Sequence, residues 1–240
     1  MFTRVSLTVF LPHLTLVQLF KMFLRFGSRQ PYRISRIELK SSNPACLLLE
    51  WLEQAEKRGA KARAMNLATA TKNGEVSSRH VAISEITDDA SIVFTSQNYT
   101  SKITNIEENP QVAATILLQY EDSGVNILKQ IVLTGKAVKL PHETCKEYFT
   151  KVITVSQQIR YVLTKKSEWV DCDEFNEAHD TLLTDISTKG TKLEMPDTLV
   201  AYKIVPHTLD FYYMSQHNIG DRLVFTRTND NQWKCVRKLT

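Results

Sequence analysis

The side chains that could do chemistry are few and dispersed. Ser101 and Lys102 open a segment of helical spacing that stops at Asn109-Pro110. Free N–H groups and the dipole at a helix start favour an anion, so a hydroxyl and an ammonium there could seat a phosphate. The same pair reads equally as a helix cap beside a solvated lysine. Arg79 and His80 adjoin in a strand-like run, while His142, His179, His207 and His217 are scattered. The four cysteines, Cys46, Cys145, Cys172 and Cys235, stand far apart with no C-x-x-C spacing. Neither a disulfide scaffold nor a zinc cluster is expected from them. The chain has no H-E-x-x-H, no G-x-S-x-G and no glycine-rich phosphate loop. A zinc protease, a serine hydrolase of the elbow type, a Rossmann enzyme and a P-loop enzyme are therefore not expected. No catalytic side chain and no metal site is assigned from the residues alone.

The elements that must position these groups follow from the rest of the chain. Its 240 residues, 42% hydrophobic and 23% charged, fit one large or two small soluble domains. The net charge of +4 is unevenly placed. Residues 1–37 hold Arg4, Lys21, Arg25, Arg29, Arg33 and Arg36 and no acidic residue, which leaves 24 basic against 26 acidic residues in the remainder. The near-neutral body carries no basic stripe, so a nucleic-acid partner is not expected. The apolar run from Val5 to Phe20 is broken by Pro12, His13 and Gln18, and is short for a spanning helix of roughly 20 residues, so a membrane partner is not expected either. A basic, acid-free leader fits a mitochondrial transit peptide, and equally an extension with no address. The expectation is thus a leader over 1–37, one domain over 38–240, and a mitochondrial or cytoplasmic location.

Asn43-Pro44 marks a helix start, with Leu47, Leu48, Trp51, Leu52 and Ala55 on one face up to Gly59. Met65 to Lys72 and Val76 to Ile83 flank Asn73-Gly74, a strong hairpin signal. Ser91 to Ser96 is a third strand, Thr100 to Glu108 a short helix, and Gln111 to Gln119 and Asn126 to Leu140 are strands about a turn at Asp122-Ser123-Gly124. Helices are expected from Pro141 and over Asp173 to Leu183, then a polar loop to Asp197. Val200 to Val205, Leu209 to Met214, Arg222 to Arg227 and Trp233 to Arg237 complete the strands. Strands joined by tight turns, with grouped helices, predict an α+β, mainly β protein: an antiparallel barrel or sandwich with peripheral helices.

The order of these segments carries a resemblance. AMNLATATKNGEVSSRHVAI, SIVFTSQNYTSKITNIEENPQVAA, KQIVLTGKAVKLP, EYFTK, GDRLVFTR and WKCVRKL follow one another from about Asn43 to Thr240. This resembles the pyridoxine/pyridoxamine 5′-phosphate oxidase family. The resemblance implies an FMN-binding split β-barrel and a homodimer with flavin at the subunit interface. It implies flavin contacts from Arg79, Val81, Ala82, Ile83, Thr95, Ser96, Lys102, Gln130, Ser167 and Arg222. Ser101 replaces the arginine of an Arg-Lys pair at the FMN phosphate, Lys166 replaces a glutamine, and Leu199 stands where a flavin-contacting tryptophan is usual.

For the substrate, Tyr148 and Ser156 match residues that hold its phosphate. Ser84, Val152, Asn218 and Gly220 depart from the pattern, and three of the missing groups are cationic. A dianionic ester needs charge-assisted donors, each typically worth about 1.5–3 kcal/mol. The implied activity is oxidation of pyridoxine or pyridoxamine 5′-phosphate to pyridoxal 5′-phosphate, with hydride passing to the flavin and O2 giving H2O2. The departures leave two alternatives: a flavin-binding relative with another substrate, and a non-catalytic paralogue. Val152→Arg with Gly220→His is expected to restore activity on the phosphorylated vitamer.

Overall fold

Among the described residues, nine strands and five helices follow in the order α1 (Pro44–Lys57), β1 (Ala64–Ala70), β2 (Val76–Ala82), β3 (Glu85–Ile86), β4 (Ile92–Gln97), α2 (Ser101–Glu108), β5 (Gln111–Asp122), β6 (Val125–Lys139), α3 (His142–Lys151), α4 (Val155–Leu163), α5 (Cys172–Lys189), β7 (Leu199–Ser215), β8 (Asp221–Arg227) and β9 (Trp233–Lys238). They come from a computed structural model, which describes residues 33–164, 171–216 and 218–238. All the strands belong to one antiparallel sheet of order β2-β1-β5-β6-β7-β4-β3, with β8 and β9 continuing from β7. The architecture is mainly β, an antiparallel split barrel with peripheral helices.

Local chemistry explains most boundaries. Asn43 caps α1 through its side chain, which accepts from the Ala45 N–H, and Pro44 sits where a missing N–H costs nothing. Ser123 and Gly124, both with positive φ, close the long β5–β6 hairpin. Gly190 in the left-handed region ends α5. That helix runs six residues past the expected Leu183, into the first six positions of the expected polar loop. The two strands expected over 200–214 are a single β7. Its pairing with β6 shifts between Thr134 and Gly135, where His207 is the extra residue. A Cβ at Gly135 would lie 2.2 Å from the Val205 carbonyl oxygen, so the close approach of β7 requires glycine there.

Alternation sets the two faces of the sheet. Ile131, Leu133, Leu209, Phe211, Leu223 and Phe225 point into the core with Trp51, Leu48 and Leu52 of α1. Each such buried side chain is worth about 1.5–3 kcal/mol of transfer free energy. A second cluster of Cys145, Phe149, Ile153, Tyr161, Leu199 and Ala201 seats α3 and α4 on β7. Ser35 and Ile37 were expected in the leader, yet both belong to the domain. The Ser35 N–H donates to the Ile219 carbonyl at 2.7 Å, the Ile37 N–H donates to Asp221 at 2.7 Å, and Ile37 is buried in the core. Among the described residues no helix is long and apolar enough to cross a membrane.

Candidate functional site

A cleft of about 360 Å3 opens between β2, β4 and α4. That volume lies within the range of small-molecule sites. Arg79, Val81, Ala82, Ile83, Thr95, Ser96 and Lys102, all expected to contact flavin, line it. Arg160, His80, Thr100 and Gln157 join them, and the lining holds no Asp or Glu.

Each cation is placed by its neighbours. Leu67 pairs with Arg79 and Thr69 with Ser77 across β1 and β2, so all four side chains share the inner face. The Arg79 guanidinium donates to Thr69 Oγ1 at 2.8 Å, to the Leu67 carbonyl at 3.2 Å and to Ser77. Asn105 of α2 donates to Thr69 at 3.0 Å and to Ser77 at 3.3 Å, holding both acceptors from behind. Lys102 Nζ donates to Ser96 Oγ at 3.0 Å, and Ser96 and Thr100 are linked at 3.2 Å. Burial lowers the Arg79 pKa, and burial followed by the charges of Arg79 and Arg160 lowers that of Lys102. Three cations thus converge with no anion of the protein between them. This donor set fits a phosphate monoester. Among the described residues no group of His, Cys, Asp and Glu forms a metal site.

Gln130 and Arg222 do not line this cleft. They share a cross-strand row with Tyr212 on the outer face of the sheet, opposite the core residues Ile131, Phe211 and Leu223. Arg222 is held by Asp210, with Nε 2.8 and 3.0 Å from the two carboxylate oxygens. Tyr148 also stands apart: its hydroxyl donates to the Glu85 carboxylate, and burial followed by that carboxylate raises its pKa. Ser156 lies on α4 at 3.1 Å from His179 Nε2. Ser167 falls outside the described residues.

The departing positions are placed as well. Ser84 and Val152 line the cleft, and Val152 is exposed there. Gly220 is buried, and a Cβ on it would lie 2.4 Å from the Tyr212 ring. Leu199 is buried in the second cluster, so the aromatic residue in the row with Gln130 and Arg222 is Tyr212. Sequence reasoning overlooked Tyr212, although its place beside Phe211 and Tyr213 in an alternating strand was a usable signal. It also overlooked Thr69 and Asn105, whose roles depend on register.

Comparison with known proteins places the chain. A model of the pyridoxamine 5′-phosphate oxidase family matches residues 52–171. A pyridoxine/pyridoxamine 5′-phosphate oxidase of Rippkaea orientalis is 30% identical over 78% of this chain and 84% of its own. A dihydrophenazinedicarboxylate synthase of Burkholderia lata is 29% identical over 82% of this chain and 87% of its own. Among solved structures, PhzG from Burkholderia lata 383 in complex with tetrahydrophenazine-1-carboxylic acid superposes with a TM-score of 0.71. It is 26% identical, over 86% of this chain and 99% of that one. The chain belongs to the pyridoxamine 5′-phosphate oxidase family.

Proposed function

We propose that the protein binds FMN in this cleft and oxidises pyridoxamine or pyridoxine 5′-phosphate to pyridoxal 5′-phosphate, with O2 as acceptor and H2O2 as product. The observation that carries the reading is the convergence of Arg79, Lys102 and Arg160 in a lining free of acids. Bound FMN would supply the hydride acceptor, so the protein's own task is to clamp, orient and exclude water. Arg79 and Lys102 would hold the FMN phosphate, and the Thr95 and Ser96 hydroxyls would add neutral donors beside it. Gln130, Tyr212 and Arg222 stand on the outer sheet face, so they would serve a flavin bound to a second copy of the chain. A homodimer follows from that division.

A second substrate class is favoured by one observation. The cleft wall carries Val152 and Ser84 where the family pattern has cations, and the Tyr148 hydroxyl is already engaged by Glu85. A phosphate there would meet few donors. A relative of similar length acts, by its name, as a dihydrophenazinedicarboxylate synthase. A reduced heteroaromatic carboxylate is therefore the alternative substrate.

A spectral titration separates these readings. Purified protein with FMN is made anaerobic, and pyridoxamine 5′-phosphate is added. Bleaching of bound flavin supports the oxidase. Flavin that binds without bleaching, but bleaches with a dihydroaromatic carboxylate, moves the protein to the second class. Protein that takes up no FMN refutes both.

A further inference from the structure

We propose that Arg160 is the third cation of the FMN phosphate seat and makes good the charge missing at Ser101. The inference rests on the FMN reading above and assigns the seat a residue from a different element. Ser101 is exposed at the first turn of α2, next to Lys102, and brings a hydroxyl but no charge. Arg160 is 58 positions from Lys102 in the chain, yet both side chains line the same cleft. The charge of Arg160 is felt at the Lys102 amine together with that of Arg79.

The placement of Arg160 is built in rather than incidental. Its neighbours Ile159 and Tyr161 are buried and anchor α4, while Arg160 itself is exposed where it lines the cleft. A capping box of Thr154 and Gln157 starts the helix. The other end is tied to β4: Gln97 Nε2 donates to Thr164 Oγ1 at 2.7 Å, and the Tyr99 hydroxyl donates to the Thr164 carbonyl at 3.3 Å. Thr164 Oγ1 in turn donates to the Arg160 carbonyl at 2.7 Å. The last turn of α4 is thus fastened beside Ser96, which receives Lys102. The guanidinium lies over the Tyr161 ring with its carbon 4.6 Å from the centroid. Stacking holds the flat face and leaves the N–H edge for an oxyanion. Among the described residues no carboxylate pairs with Arg160, whereas Arg222 and Arg237 each have one.

Like charges brought together without a counter-ion are held apart from their lowest energy, and a bound dianion relieves the repulsion. A third charge-assisted donor should therefore favour FMN over riboflavin, which lacks the phosphate, by roughly tenfold to a hundredfold.

The test is flavin-fluorescence titration of the full chain with FMN and with riboflavin. Arg160→Gln should weaken FMN roughly tenfold to a hundredfold and leave riboflavin within about twofold. Adding Ser101→Arg to Arg160→Gln should recover most of the loss, since it returns a cation to the same seat. Unchanged FMN affinity in Arg160→Gln would overturn the proposal. Equal loss of both flavins would overturn it too, because α4 would then be serving packing alone. So would a failure of Ser101→Arg to rescue. Unaltered protein that binds riboflavin as tightly as FMN would remove the phosphate seat and leave flavin binding standing; binding of neither flavin would sink the FMN reading itself.

Discussion

Two regions of the molecule hold a lysine short of water, and they treat it differently. Lys129 in β6 is only 6% exposed, and its ammonium lies 5.0 Å from the Trp51 ring and 5.6 Å from those of Tyr120 and Tyr213. It also donates to Gln54 Oε1. Three ring faces and an amide oxygen stand in for water there. Lys102 is half-buried with one hydroxyl acceptor and two arginines for company. A lysine packed among rings belongs to the structure, even where burial disfavours its charged form. A cluster of cations that repel one another needs a ligand. The first arrangement should dominate stability and the second affinity.

The largest expected effect tests the structural side. Lys129→Ala empties a buried site and should lower the unfolding free energy by about 2–4 kcal/mol in a denaturant titration, while FMN affinity stays within twofold. A pH series sharpens this. Burial holds the Lys129 pKa at about 8, against 10.5 for the free group. Between those values the unfolded chain binds the proton that the folded chain has released. Stability therefore rises with pH across that window. The unaltered protein should gain on Lys129→Met from about pH 8 to about pH 10.5, and a flat difference would show that the lysine is not desolvated.

The same logic runs in reverse at the cleft. Lys102→Met should weaken FMN roughly tenfold to a hundredfold. It should also raise the melting temperature of the ligand-free protein, since it removes a half-buried charge from two like neighbours. A lowered melting temperature would place Lys102 with Lys129 among the structural cations. At Gly220 a smaller loss is expected. Gly220→Ala must displace the Tyr212 ring, at a cost of about 1 kcal/mol by thermal unfolding. Gly220→His, expected from the resemblance to help restore activity, would first have to move the Tyr212 ring aside. Val152→Arg alone is the restoring change to assay on pyridoxamine 5′-phosphate. Smallest of all is Glu53→Gln, which opens an exposed pair with Lys57 and should leave the melting temperature unchanged within error.

What could be read in the sequence follows the range of the forces involved. The cap at Asn43-Pro44, the turn at Asn73-Gly74 and the alternation of β5 and β6 are local, and they appear where expected. The strands of β7 were split in the reading because Pro206 interrupts the pattern; the bulge opposite Gly135 lets one strand pass through. Helix α5 outran its expectation because its residues are exposed or half-buried, so no strong apolar period marks its length. Ser35 and Ile37 fall on the wrong side of the expected boundary at residue 37 because they make their contacts with residues about 180 positions away.

By itself the sequence determined the strand and helix types, the hairpins and the ordered motifs that place the chain in its family. These rest on neighbouring residues and on backbone preferences that act within a few positions. Only the tertiary structure decided that Arg160 joins Arg79 and Lys102 in one cleft, and that Gln130, Tyr212 and Arg222 lie elsewhere on the outer sheet face. It alone showed that Tyr212 closes the space at Gly220. Those outcomes depend on strand register and on how α4 is fastened to β4. Such contacts join residues tens of positions apart, and they are set by packing that no local pattern encodes.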